Sequence, residues 1–135
     1  MRSWVFDTNV VVAAHLSPEG LPARLLNEVY AQRMRMSCDA RIIAEYESVL
    51  SRPKFRFSRA MVMGFINLLD DQDLVQPSPV PGQFPDESDR KFIEAACATA
   101  GKILITGNMR HFPQALRGPV TVLSPAKAWD VLNKK

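Results

Sequence analysis

Five oxygen-bearing side chains fall where a hard divalent cation could be held. Asp7 closes a short apolar run, Glu45 lies in a strongly periodic middle segment, Asp86 and Asp89 follow a proline-rich stretch, and Asn108 closes a second apolar run. Mg²⁺ and Mn²⁺ favour such ligands: a few carboxylates, retained waters and the phosphate oxygens of a substrate. An ion of this kind acidifies a bound water and stabilises charge on a phosphodiester undergoing displacement. The chemistry indicated is metal-assisted phosphodiester hydrolysis. Each residue also has a structural use. Asp7-Thr8-Asn9 can turn or cap, Asp86 and Asp89 imitate a capping box whose acids complement the helix dipole, and Asn108 can cap a turn.

The elements that must position these residues follow from hydrophobic spacing. Trp4-Val5-Phe6 reads as a buried strand closed by Asp7-Thr8-Asn9. Leu21, Leu25, Leu26 and Val29 predict a helix with Pro22 in its first turn. Met34-Arg35-Met36 reads as a short strand, and residues 39–50 as a helix with Ile42, Ile43, Tyr46, Val49 and Leu50 on one face. Residues 58–69 form another helix, and Leu74-Val75-Gln76 a further short strand.

Pro77, Pro79, Pro81 and Pro85 impose a loop that leads into Asp86-Glu87-Ser88-Asp89. The next helix presents Phe92, Ile93, Ala96, Cys97 and Ala100 and ends at Gly101. Ile103-Leu104-Ile105 is unbroken apolar sequence, as in a strand covered on both faces. Val120-Thr121-Val122-Leu123 is the last strand, and Ser124-Pro125 opens a terminal helix.

Alternating strands and helices predict an α/β fold with a central parallel sheet. Sites in such sheets form beyond the carboxyl ends of the strands, which brings Asp7, Glu45, Asp89 and Asn108 to one edge. Helix phase directs Asp89 along the line of Ile93, Ala96 and Ala100, toward the sheet. It does not choose between Glu45 and Glu47, which flank their stripe about equally.

The remaining composition is compatible with such a site. A chain of 135 residues, 47% hydrophobic and 23% charged, makes one ordinary domain, residues 1–135, and excludes a disordered chain. Two cysteines, Cys38 and Cys97, exclude a disulfide scaffold or a cysteine-built zinc cluster. No apolar run approaches a membrane span, and the start reaches an acid too soon for a secretory signal, so the expected location is cytoplasmic. The net charge of +3 permits a nucleic-acid partner without requiring one.

Residues 33–59 hold seven bases, Arg33, Arg35, Arg41, Arg52, Lys54, Arg56 and Arg59, against Asp39, Glu45 and Glu47. Of these, Arg52, Lys54 and Arg56 alternate with Phe55 and Phe57, a pattern suited to a single-stranded backbone or to a solvated face with inward aromatics. His111 lies near enough to Asn108 to reach a substrate phosphate or to serve as a loop hydrogen-bonder. Spacing suggests no partner for His15. An aspartyl-phosphate phosphatase would need an acid where Asn9 stands, and a phospho-receiver domain a lysine where Thr106-Gly107-Asn108 stands.

The order of four segments resembles the PIN-domain ribonuclease family, particularly the toxin branch of toxin–antitoxin modules (VapC-type and related toxins). They are Val5-Phe6-Asp7-Thr8-Asn9-Val10, residues 44–53 (Ala-Glu-Tyr-Glu-Ser-Val-Leu-Ser-Arg-Pro), residues 86–96 from Asp86-Glu87-Ser88-Asp89 onward, and Leu104-Ile105-Thr106-Gly107-Asn108. The resemblance implies a three-layer α/β/α sandwich with a central parallel sheet of four to five strands. It implies a Mg²⁺- or Mn²⁺-dependent endoribonuclease that hydrolyses RNA with a metal-activated water. Asp7, Glu45 and Asp89 match the family's metal-binding acids, so the resemblance selects Glu45. Asp86 matches an accompanying acid that binds metal or caps its helix, and Asn9 and Thr106 match supporting hydrogen-bonding residues.

Many relatives carry a fourth acid where this chain has Asn108. A neutral oxygen ligand there weakens the case for a second ion and leaves a single-ion mechanism intact. The implied partners are RNA, a small antitoxin protein and a second copy of the chain in a homodimer or higher oligomer. The alternative reading is a catalytically impaired PIN-like module that binds RNA or protein.

Overall fold

Apolar runs without polar interruption form the centre of the protein, in a computed structural model that describes residues 1–134. Strand β1 (Ser3–Phe6) buries Trp4, Val5 and Phe6. Its neighbours are β2 (Arg35–Cys38) on one side and β4 (Ile103–Ile105) on the other. Beyond them lie β3 (Asp73–Leu74) and β5 (Thr121–Leu123), giving a five-stranded, all-parallel sheet of order β3-β2-β1-β4-β5.

Parallel neighbours need long crossovers, and here helices supply them. Helices α1 (Thr8–Leu16) and α2 (Leu21–Tyr30) lead from β1 to β2, and α3 (Ala40–Leu50) and α4 (Arg59–Leu69) lead from β2 to β3. The chain then returns past β1 through the proline-rich loop and α5 (Arg90–Cys97) to β4, and α6 (Pro125–Asn133) follows β5. Right-handed crossovers in opposite directions place helices on opposite faces. Accordingly α1 packs on α2 and α3, α3 on α4, and α5 lies across β1, β2 and β4. This is the expected α/β/α sandwich, with five strands. Among the described residues, no helix is long and apolar enough to cross a membrane.

Local signals fixed several boundaries. Asp39 caps α3 by accepting from the backbone N–H of Arg41 and Ile42, Ser58 caps α4, and Ser124 caps α6. The structure departs from expectation in several places: β2 covers Arg35–Cys38 rather than residues 34–36, β5 starts at Thr121 rather than Val120, and three further differences have local causes. Helix α1 was not anticipated: Val10, Val11, Val12 and Ala14 are all buried, so no polar stripe reveals a helical period. Strand β3 starts one residue earlier than expected and has only two residues. Helix α5 stops at Cys97 rather than running to Gly101, and Ala100 is exposed. There the Thr99 hydroxyl donates to the Ala96 carbonyl and accepts from Lys102 N–H, while Lys102, not Gly101, takes the left-handed conformation at φ 52°.

Candidate active site

The pairing of the two central strands builds the site. Phe6 pairs with Ile105, so the residues that follow, Asp7 and Thr106, emerge side by side where the connections diverge to opposite faces. The Asp7 N–H donates to the Ile105 carbonyl at 2.9 Å, and the Thr106 hydroxyl donates to Asp7 Oδ2 at 2.7 Å. Thr106 is itself fully buried and accepts from Asn108 N–H at 3.0 Å. Across the same turn Asn9 Oδ1 accepts from Gly107 N–H at 3.3 Å. Asp7 thus has a fixed orientation, and the 106–108 turn is tied to the start of α1.

Glu45 projects from α3 into this edge, whereas Glu47 is exposed to solvent. The Thr8 hydroxyl donates to Glu45 Oε2, and Lys91 Nζ lies 2.6 Å from Glu45 Oε1. The next residue, Tyr46, is fully buried and donates its hydroxyl to the Phe6 carbonyl, which fixes α3 against the end of β1. Tyr46→Phe is expected to destabilise the protein by about 1–2 kcal/mol in urea denaturation, because a buried carbonyl loses its donor.

Asp89 enters from the short 3₁₀ turn Glu87–Asp89 ahead of α5 and is only 7% exposed. His111 Nδ1 comes within 2.8 Å of Asp89 Oδ2 as an ion-pair contact, and that buried oxygen has no aligned hydrogen-bond donor. Burial, followed by the charge of Asp7, pushes the Asp89 carboxyl up to about 6; the nearby His111 offsets part of this. Asp7 is raised too, chiefly by burial and further by Glu45, with the Thr106 hydrogen bond opposing.

A pH dependence follows. In the metal-free protein the folded state holds a proton on Asp89 that the unfolded chain releases near the ordinary aspartate value. This contribution to stability is fully present below about pH 4 and is lost as pH rises through about 6. Between those values the wild type should lose about 1–3 kcal/mol relative to Asp89→Asn, read as the difference between their urea midpoints.

The other expected residues lie as follows. Asp86 is exposed and caps its 3₁₀ turn, accepting from the backbone N–H and hydroxyl of Ser88 at 2.9 and 2.7 Å. Those bonds hold its carboxyl below the usual aspartate value. Arg52, Lys54 and Arg56 are exposed around the turn Pro53–Phe55, with Phe55 stacked on Phe57 at 5.7 Å. Both rings are half-buried, and Phe57 meets the ring of His15, whose Nδ1 bonds the Val11 carbonyl at 2.8 Å. An apolar groove of about 370 Å³, bounded by Thr8, Asn9, Leu16 and Phe55, connects the carboxylate edge to this basic turn. A cavity of about 870 Å³ lies at the amino ends of β1 and β4, remote from these acids.

Among the described residues, no three His, Cys, Asp or Glu side chains converge to hold one ion between them. Glu45 is engaged by Thr8 and Lys91, and Asp86 by Ser88. The donor chemistry nevertheless fits a hydrated Mg²⁺ or Mn²⁺, which one or two carboxylates hold while waters complete the octahedron. Asp7 and Asp89 are buried and repel each other, and Asp89 Oδ2 has no aligned hydrogen-bond donor.

Lys91 escaped the sequence reading. Its signal was position: a cation in the first turn of α5 opposes the helix dipole, which points to another use. Glu94 and Arg41 also went unnoticed as partners; buried Glu94 accepts from Arg41 at 2.7 Å and from Val80 N–H at 3.1 Å.

A family model described as PIN domain matches residues 3–110, which include every acid and amide of this edge. No curated protein is similar enough to the chain to count as a match.

Proposed function

The chain belongs to the PIN-domain family, whose members are generally nucleases, and we propose that it is a Mg²⁺- or Mn²⁺-dependent endoribonuclease. The observation that carries this reading is the pair of buried carboxylates, Asp7 just past β1 and Asp89 at the start of α5, where Asp89 Oδ2 has no aligned hydrogen-bond donor. A bound cation would relieve the burial and mutual repulsion that raise both carboxyls.

Asp7 and Asp89 hold the ion, Glu45 contributes an oxygen directly or through water, and Asn108 offers a neutral one. When bound, the ion acidifies a water and neutralises charge on the phosphoryl oxygens. Thr106 keeps the Asp7 carboxylate aimed, and Asn108 N–H keeps Thr106 in place. Arg52, Lys54 and Arg56 attract the RNA backbone toward the groove that begins at Thr8.

The wider role proposed is the toxin of a toxin–antitoxin module, acting in the cytoplasm, inhibited by a small antitoxin and assembled as a dimer or larger oligomer. The test is cleavage of labelled RNA by purified protein. Cuts are expected with Mg²⁺ or Mn²⁺ and none with EDTA; metal-independent cleavage, or none under any condition, would contradict the nuclease reading. Growth arrest on expression, relieved by the product of an adjacent gene, tests the toxin role.

A further inference from the structure

We propose that Lys91 is a tethered counter-cation that holds Glu45 until a divalent ion binds, then releases it and contacts the scissile phosphate. The inference rests on the nuclease reading above and adds a substrate-binding residue to it.

The Lys91 ammonium lies 2.6 Å from Glu45 Oε1, and the two side chains are only 13% and 25% exposed. It also donates to the Ser88 carbonyl and lies 5.1 Å from the centre of the Phe92 ring. A lysine on a solvated face would keep its ammonium in water; this one is drawn inward to a carboxylate, a carbonyl and an aromatic face.

Its place in the chain strengthens the point. Lys91 follows Asp89 by two residues in the first turn of α5, where the helix dipole disfavours a cation. The compensating attraction comes from Glu45, whose other oxygen accepts from Thr8. Each Glu45 oxygen thus already has a donor, and an ion held by Asp7 and Asp89 would compete with Lys91 for it.

A cation held by Asp7 and Asp89 would repel the ammonium, and Glu45 would exchange one positive partner for another. The freed lysine stem can swing without unfolding α5. The negative group that then arrives at this edge is the substrate phosphate, to which an ammonium binds as a compact point charge. Lys91 thereby keeps the acidic edge closer to neutral before metal binds and supplies positive charge to the substrate afterwards.

A permanent bracket between α3 and α5 would behave oppositely, and the sign of the metal response separates the two. Mn²⁺ affinity is measured by calorimetry for the wild type, Lys91→Met and Lys91→Arg. Methionine keeps the stem packed and removes the competitor, so Mn²⁺ should bind about three- to tenfold more tightly. At saturating Mn²⁺ the same variant should show a KM for RNA raised about tenfold. Arginine retains the ion pair and should hold Mn²⁺ affinity within about twofold of wild type.

A folded Lys91→Met protein with unchanged or weaker Mn²⁺ affinity would overturn the proposal. So would a Met variant that no longer folds, since that is the behaviour of a bracket. A wild type that binds no Mn²⁺ would overturn the nuclease reading and this inference together; Mn²⁺ binding by wild type without tightening in Lys91→Met would overturn this inference alone.

Discussion

Asp7→Asn should reduce metal-dependent RNA cleavage by about 10³-fold or more and remove the rise in melting temperature produced by Mn²⁺, while leaving the fold intact. The amide is isosteric with the carboxylate and still accepts from the Thr106 hydroxyl, so the junction of β1 and β4 keeps its geometry. The lost quantity is charge. Asp7 is 5% exposed, and burial already holds its carboxyl above the ordinary aspartate value. Removing that charge relieves repulsion with Glu45 and Asp89, so the metal-free variant should melt no lower than wild type. Both readings come from one preparation, with thermal melts in EDTA and in Mn²⁺ beside a cleavage assay. Undiminished cleavage by the variant would remove Asp7 from the chemistry.

The second large effect concerns stability. Arg41→Ala should cost about 3 kcal/mol in urea denaturation. Its guanidinium bridges Asp39 at 2.8 Å and Glu94 at 2.7 Å, and both carboxylates are less than 10% exposed. Asp39 keeps its cap bonds to the N–H groups of Arg41 and Ile42, and Glu94 keeps the Val80 N–H, so neither is wholly abandoned. Each nevertheless becomes a buried charge without a cation. Arg41 is itself about half exposed, which sets the effect at the lower end of the range for a broken buried pair. The bridge joins the start of α3, the middle of α5 and the proline-rich loop, the elements that carry Glu45 and Asp89. Glu94→Gln should cost less, about 1 kcal/mol, because the amide oxygen can still accept from Val80.

The strands and most helices were legible because their burial is one-sided or complete in the way periodicity reports. Ile103-Leu104-Ile105 reads as a covered strand, and Ile42, Tyr46 and Leu50 read as one buried face. Helix α1 was not legible: its β-branched valines are buried on all sides, and a helix without a polar face leaves no helical period in the sequence. The end of α5 was missed because Thr99, rather than the nearby glycine, terminates the turn.

At the site, strand ends made Asp7 and Asn108 legible, since residues just past a central parallel strand emerge at the carboxyl edge, whereas Thr106 was signalled by the family resemblance alone. Glu45 and Glu47 were indistinguishable by phase alone; a contact with Thr8, from a distant segment, separates them in space. Lys91 and Glu94 were invisible for a related reason. A charge on a short helix reads as solvated until its partner arrives, and Glu45 and Arg41 arrive from a helix about 50 residues away. Pairing across the fold, not local pattern, decides which charges are buried.

The central claim is that Asp7 and Asp89 together hold a divalent cation. Anomalous diffraction from a crystal soaked in Mn²⁺ tests it most directly, because the scattering identifies the element and its position at once. The expected result is one strong peak at the carboxyl ends of β1 and β4, within about 2.3 Å of an oxygen from each aspartate or bridged to one of them by water. A peak bound elsewhere, or full Mn²⁺ exposure with no peak between Asp7 and Asp89, would contradict the account.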